Sequence, residues 1–319
     1  MDLGPLRRGT GSVDLLGEVN VMHEPTTGQS ISESDLRIHG DAPARAQRII
    51  RAKDAVKRLL AAGTVVEPAD HYSVVAVLGQ SNAHGAGMSG VGALPGQPDR
   101  RVHQWPGCGR RRGRILQAED PLLHEIPGAG AGFATTFGSL LADYTGEAVL
   151  LVPSARGDTS FHQKNGYSWD PANRTARVNL YDLAVRQIGN ALAAASTGSR
   201  LAAILWHQGE SDVPLTPPDV YRDRLDALIT GLRDNFGEVP FILGQMVPEE
   251  IATGHPKYPG IAAVHATTPD RHSACAHVSG PDGMHNPGET IHYNSAGQRE
   301  FGRAMFEAYR DLAGPSRSE

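Results

Sequence analysis

From about residue 72 the chain alternates between short apolar runs and longer segments with apolar residues at helical spacing. Five runs stand out, at residues 73–78, 148–152, 201–206, 240–246 and 274–278. Their near-continuous apolar character suits strands covered on both faces, as in a parallel sheet. Residues 137–144, 178–195, 218–236 and 295–312 read as helices between and after them. The last has a well-marked start: Asn294 and Ser295 offer caps, and Gln298 stands three residues beyond Ser295. Alternation of this kind predicts an α/β protein with a doubly wound, three-layer fold, in which ligands bind beyond the carboxyl ends of the strands.

The first part of the chain follows other rules. Residues 1 to about 40 are polar and irregular, rich in Gly, Ser, Thr and Glu, and read as a poorly ordered arm or a surface wrap. A helix is expected from about residue 43 to 62, with Asp41 as its cap, Pro43 in its first turn and Gly63 at its end. Ala46, Ile49, Ala52, Val56, Leu59 and Leu60 make an apolar stripe along it. The stripe is expected to pack on the main domain, with a homodimer contact as the alternative. The chain thus divides into an arm and helix at 1–70 and an α/β domain at 71–315. Two long irregular stretches, about 91–126 and 157–175, are of a length that is usually functional or disordered. The first holds Arg110-Arg111-Arg112, read either as a solvated basic loop or as a lid or wall for an acidic or sugar-like substrate.

Composition narrows the function. With 319 residues, 39% hydrophobic and 20% charged, the chain has the make-up of an ordinary globular protein. A net charge of -5 supplies no basic face, so nucleic acid is not expected as a partner. No apolar run approaches the roughly 20 residues that cross a bilayer, so no membrane partner is expected either. The N-terminus lacks the apolar core of a secretion signal, so the expected location is cytoplasmic, or secreted only where a signal has been removed. Cys108 and Cys275 read as two buried, inert thiols. None of the 14 histidines falls in a metal-ligand spacing, so neither a metal nor another cofactor is expected.

Three separated segments carry candidate chemistry. Ser81, in Gly79-Gln80-Ser81-Asn82, stands at a strand-to-helix turn where backbone N–H groups are free to bind an anion. Ala83 follows Asn82, so the Gly-x-Ser-x-Gly elbow of α/β-hydrolases is absent. Gln208, in His207-Gln208-Gly209-Glu210-Ser211-Asp212, ends another strand with an amide able to donate to an oxyanion. Glu210 and Asp212 follow on the same loop, either as working acids or as turn caps. His292 precedes the last helix, with Glu289 three residues upstream to orient its ring. Asp282 and His285 repeat that spacing; the helix starting directly after His292 favours the later pair.

Taken together, these segments resemble the SGNH hydrolase superfamily, and more closely its sialate O-acetylesterase and acetylxylan esterase group, carbohydrate esterase family six. Gly157-Asp158-Thr159-Ser160 is similar to that group's Gly-Gly-Thr-Ser segment, with Asp158 in place of the second Gly. Residues 295–305 are similar to its closing helix. The resemblance covers about 72–312. It implies a flavodoxin-like three-layer sandwich with a five-stranded parallel sheet, extended by the N-terminal helix. It implies Ser81 as nucleophile and His292 as base, with either Glu289 or Glu210 as the acid. The implied oxyanion hole comprises the Ser81 N–H, the Gln208 amide and a Gly N–H from Gly128-Ala129-Gly130-Ala131-Gly132, where Gly132 is favoured and Gly130 is next. Gln80, Asn82, Asp158 and Thr159 are the implied substrate-binding positions.

The function expected on these grounds is a serine esterase that removes acetyl or another small acyl group from a sugar or glycoside hydroxyl, acting on a small-molecule or glycan ester. The alternatives are an acyltransferase working through the same acyl-enzyme and a glycan-binding module with a dead site.

Overall fold

The computed structural model describes residues 35, 39–88 and 97–314. The arm expected over residues 1–40 lies almost wholly outside the described residues, as does the start of the 91–126 stretch.

The sheet is organised around β1, Tyr72–Gly79, every residue of which is buried. It pairs in parallel with β4, Ala148–Pro153, on one side and β7, Arg200–His207, on the other. Beyond β7 come β8, Phe241–Gly244, and β9, Cys275–Val278, both parallel. These are the five expected strands, in the order of a flavodoxin-like sheet; β5, Tyr167–Ser168, and β6, Val178–Asn179, pair with each other outside it. The sheet also continues past β4 through β2, Val102–Gln104, and an antiparallel edge strand β3, Leu116–Gln117, giving the order β3-β2-β4-β1-β7-β8-β9. Both extra strands lie in the 91–126 stretch, which therefore is not an irregular loop throughout. They are short, and their polar side chains find several partners each. Tyr72 Oη lies 2.7 Å from His103 Nδ1, and Gln104 Oε1 accepts from Leu123 N at 2.9 Å. No apolar run advertises them.

Alternation along β1 builds the two outer layers. Val74, Ala76 and Leu78 join a core with Ala184 and Ile188 of a helix at Leu180–Ala194 and with Leu225 and Ile229 of another at Pro218–Phe236. Val75 and Val77 face the opposite way, toward Phe137 and Leu141 of helix Ala134–Thr145 and toward Phe301 and Met305 of Ser295–Ala313. Chain connections run in opposite directions from β1 to β4 and β7. The crevice beyond the carboxyl end of β1 is thus the switch point where such sheets bind ligands.

The N-terminal helix, α1 at Ala44–Leu60, departs from expectation. Asp41 does not cap it; its carboxylate accepts from Asn165 N instead. The apolar stripe does not pack on the main domain: Ile49, Val56, Leu59 and Leu60 are 49–72% exposed. The helix is held by its polar face. Asp54 is buried against Arg156 at 2.6 Å, and Arg58 pairs with Glu125. Arg110 and Arg111 donate to the Leu59 and Gly63 carbonyls at the end of α1, so they anchor that helix rather than form a lid.

Candidate active site

Gly79 ends β1 at φ 123°, and a Cβ there would fall 2.0 Å from the His207 carbonyl oxygen. Only glycine lets β1 and β7 close this tightly at their ends, just before Ser81 opens a one-turn helix, α2, at Ser81–His84. Ser81 Oγ lies 2.9 Å from His292 Nε2, across 211 residues of sequence. On the other side of the ring, His292 Nδ1 lies 2.9 Å from Glu289 Oε1. With the Nδ1 proton directed at the carboxylate, Nε2 is left to accept from the serine hydroxyl.

Asn286, fully buried, completes the acid's surroundings. Its amide donates to Glu289 Oε1 at 2.8 Å and to Ala86 O at 3.0 Å, while its own oxygen accepts from Met88 N. Partial burial acts to raise the Glu289 pKa, but the Asn286 and His292 hydrogen bonds outweigh it and hold the carboxylate below its ordinary value. The second acid–histidine spacing is not used: His285 Nδ1 lies against the Asn286 carbonyl oxygen.

Glu210 lies elsewhere. It is enclosed beneath the serine, where Oε1 accepts from Asn82 Nδ2 at 3.1 Å and stands 3.6 Å from His207 Nδ1. Burial pushes its pKa up to about 7. Of the two candidate acids, the structure therefore brings Glu289 to the imidazole, while Glu210 meets Asn82. Asn82 itself grips the histidine loop. Its Nδ2 donates to Ile291 O and its Oδ1 accepts from Tyr293 N, both at 3.1 Å, so His292 is held from either side. Gln298 also donates to Asn82 Oδ1, so it does not turn back on the helix start; Asn294 alone caps that helix, accepting from Gly297 N.

Two expected oxyanion donors are engaged in other bonds. The Gln208 side chain is fully buried, and its Nε2 faces Asp212 Oδ2 at 2.8 Å, Gln80 Oε1 at 3.1 Å and the Thr159 carbonyl at 3.3 Å. Its two N–H bonds are consumed inside the fold. Gly132 N donates to Asp120 at 3.3 Å and Gly130 N to Gly85 O at 2.8 Å. The glycines of 128–132 serve close backbone contact with the loop after α2: a Cβ on Gly130 would stand 2.2 Å from Gly87 O. The glycine that does border the serine is Gly157, just past β4. A Cβ placed on it would lie 3.9 Å from both Cα and Cβ of Ser81, and its N–H makes no backbone hydrogen bond among the described residues.

The expected substrate-binding residues also divide. Gln80, Asn82 and Thr159 are buried, and their polar atoms brace neighbouring loops. Asp158 is exposed, at φ 56°, with Lys164 as its ion partner. Its left-handed backbone explains why glycine is usual there, and Asp is among the few other residues that tolerate it. Asp212 pins the 159–162 segment by accepting from Phe161 N and His162 N. Neither Asn286 nor Gly157 stands out in the sequence as a site residue: Gly157 opens the Gly157-Asp158-Thr159-Ser160 segment, whereas nothing local marks Asn286.

A hydroxyl, an imidazole and a carboxylate in this linear order can generate a nucleophile toward an acyl carbon. Comparison with known proteins points to ester hydrolysis. The family model described as carbohydrate esterase, sialic acid-specific acetylesterase matches residues 71–311. No curated protein matches the sequence. Among solved structures, NanS superposes with a TM-score of 0.64 at 16% identity, covering 78% of this chain and 99% of its own. A protein from Arabidopsis thaliana gives 0.63 at 21%, covering 76% and 99%. A carbohydrate acetylesterase from Xanthomonas citri gives 0.54 at 18%, covering 76% of this chain and 56% of its own. At these identities the likeness is one of fold.

Proposed function

The chain belongs to the carbohydrate esterase family of sialic acid-specific acetylesterases and is a carboxylic ester hydrolase, and from that premise we propose that it removes acetyl groups from sugar hydroxyls through a Ser81 acyl-enzyme. The observation that carries this reading is the run Ser81 Oγ, His292 Nε2, His292 Nδ1 and Glu289 Oε1, with both gaps at 2.9 Å.

In the first half-reaction Ser81 Oγ attacks the ester carbonyl while its proton passes to His292 Nε2. Glu289 accepts from Nδ1–H throughout, holding the tautomer and stabilising the imidazolium. The Ser81 and Gly157 N–H groups donate to the oxygen that becomes negative in the tetrahedral intermediate. Collapse breaks the ester C–O bond, and the sugar alkoxide leaves with the proton from His292. Water then gives its proton to His292 and its oxygen to the acyl carbon. The Ser81–acyl bond breaks, Ser81 regains the proton, and acetic acid leaves as acetate.

Acetate release from 4-nitrophenyl acetate and from an acetylated sugar tests this directly. Both activities are expected to vanish in Ser81→Ala with the melting temperature retained; undiminished turnover in that variant would mean another nucleophile.

A further inference from the structure

We propose that α1 is a peripheral docking element that lays its outward face on an anionic lipid surface. Five of the seven large apolar side chains exposed among the described residues belong to this one helix: Ile49, Ile50, Val56, Leu59 and Leu60. Ile49, Val56 and Leu60 recur at helical spacing, with Ala52 between them, and so form a single stripe.

The fold turns this stripe outward and holds it there. Asp54 is buried against Arg156, Arg58 pairs with Glu125, and Arg110 and Arg111 donate to carbonyls at the end of the helix. Rolling the stripe inward would part Asp54 from Arg156 and leave a buried charge without its partner, which is strongly disfavoured. Whatever covers the stripe must approach from the solvent side.

Charge names what that is. The helix carries six bases against one acid, and the acid, Asp54, is the buried one. Arg45, Arg48, Lys53 and Lys57 are exposed; by the helical period Arg48 flanks the stripe on one side and Lys53 and Lys57 on the other. Exposed Arg110, Arg111 and Arg112 extend this basic ground past the end of α1. The chain's overall charge of -5 conceals the face. An interfacial helix combines these same two elements: an apolar strip that sinks among headgroups, and bases that meet anionic lipid while their aliphatic stems lie along the strip.

Other occupants fit less well. Two copies pairing through α1 would bring base against base, with no exposed carboxylate on either helix to relieve it. A single partner helix would face one basic flank, whereas a sheet of headgroups meets both flanks and the Arg110–Arg112 turn together. No helix among the described residues is long and apolar enough to cross a membrane. Lying on one is a different demand, so the membrane-free expectation from the sequence bears on crossing alone.

The test is co-sedimentation of the full chain with vesicles of phosphatidylcholine alone and of equimolar phosphatidylcholine and phosphatidylglycerol. Wild type is expected to bind the anionic vesicles, to ignore the neutral ones, and to release as salt is raised. Lys53→Gln with Lys57→Gln, and separately Val56→Ser with Leu59→Ser, should each weaken binding about tenfold or more. These side chains are exposed, so melting temperature and hydrolysis of 4-nitrophenyl acetate should stay at wild-type values. No binding to anionic vesicles, equal binding to neutral ones, or an affinity that both double variants leave within twofold overturns the proposal. So does a wild type that ignores vesicles but forms a dimer that Val56→Ser with Leu59→Ser dissolves, which would give the stripe to a second copy.

Discussion

The amide of Asn82 donates to the Glu210 carboxylate at 3.1 Å. That same amide holds the chain on both sides of His292, through Ile291 O and Tyr293 N. An acid conspicuous in the sequence is therefore coupled to the imidazole by backbone placement and not by a proton-transfer contact.

The two acids should separate by mutation. Glu289→Gln is expected to lower kcat on 4-nitrophenyl acetate by roughly 10²–10⁴, because an amide at that site leaves the ring tautomer and the imidazolium unsupported. Glu210→Gln keeps an oxygen for Asn82 to donate to, so its loss should stay within about tenfold. Equal losses in the two variants would contradict the division of roles.

Asn82→Ala removes four contacts at once and leaves the Glu210 carboxylate without its donor. Urea denaturation is expected to show a loss of about 2–4 kcal/mol, since buried polar groups lose their partners. Turnover at saturating substrate should fall at least about tenfold as the histidine loop loosens. A stable Asn82→Ala protein with full kcat would remove Asn82 from the account.

Gly157→Pro deletes one N–H beside the nucleophile, whereas Gly157→Ala keeps it and adds a methyl at ordinary contact distance from Ser81. The proline variant is expected to lose about 10²–10³ in kcat. The alanine variant should lose far less at a matched melting temperature. If the alanine variant is as impaired as the proline one, the defect is steric and the oxyanion role fails.

Stability should carry the signature of Glu210. Its pKa is 4.5 when exposed and rises to about 7 in the fold through burial. Between those values the native state binds more protons than the unfolded state, so this group lowers stability as pH rises through that window. Glu210→Gln should therefore gain on wild type between pH 5 and 8, by on the order of 1–3 kcal/mol. Glu289 acts in the opposite sense: its contribution is present above its unfolded value of 4.5 and is lost as pH falls through its depressed folded pKa. Parallel pH–stability curves for wild type and Glu210→Gln would refute the assignment.

Apolar periodicity was enough to locate all five central strands and the long helices, because residues covered on both faces must be apolar almost without interruption. Ser81, His292 and Glu289, which the structure aligns with both gaps at 2.9 Å, were candidates from the segments around them, with Glu210 open as the alternative acid. By contrast, β2 and β3 were illegible, since the buried His103 and Gln104 are made acceptable by hydrogen bonds that include partners distant in sequence, Tyr72 and Leu123. The α1 stripe misled because amphipathic spacing names a face without naming what it meets. In this fold the polar face, through Asp54 and Arg58, makes the contact.

What the sequence alone determined, then, is the α/β layering and the identity of the groups able to form and resolve an acyl-enzyme, since both follow from local pattern and residue chemistry. Only the tertiary structure decided how those groups are shared out. Glu289 meets the ring while Glu210 braces Asn82, and Gln208 is enclosed while Gly157 borders the serine. The reason is physical: a donor, acceptor or charge acts through whatever its neighbours leave unsatisfied, and those neighbours come from chain segments tens to hundreds of residues away.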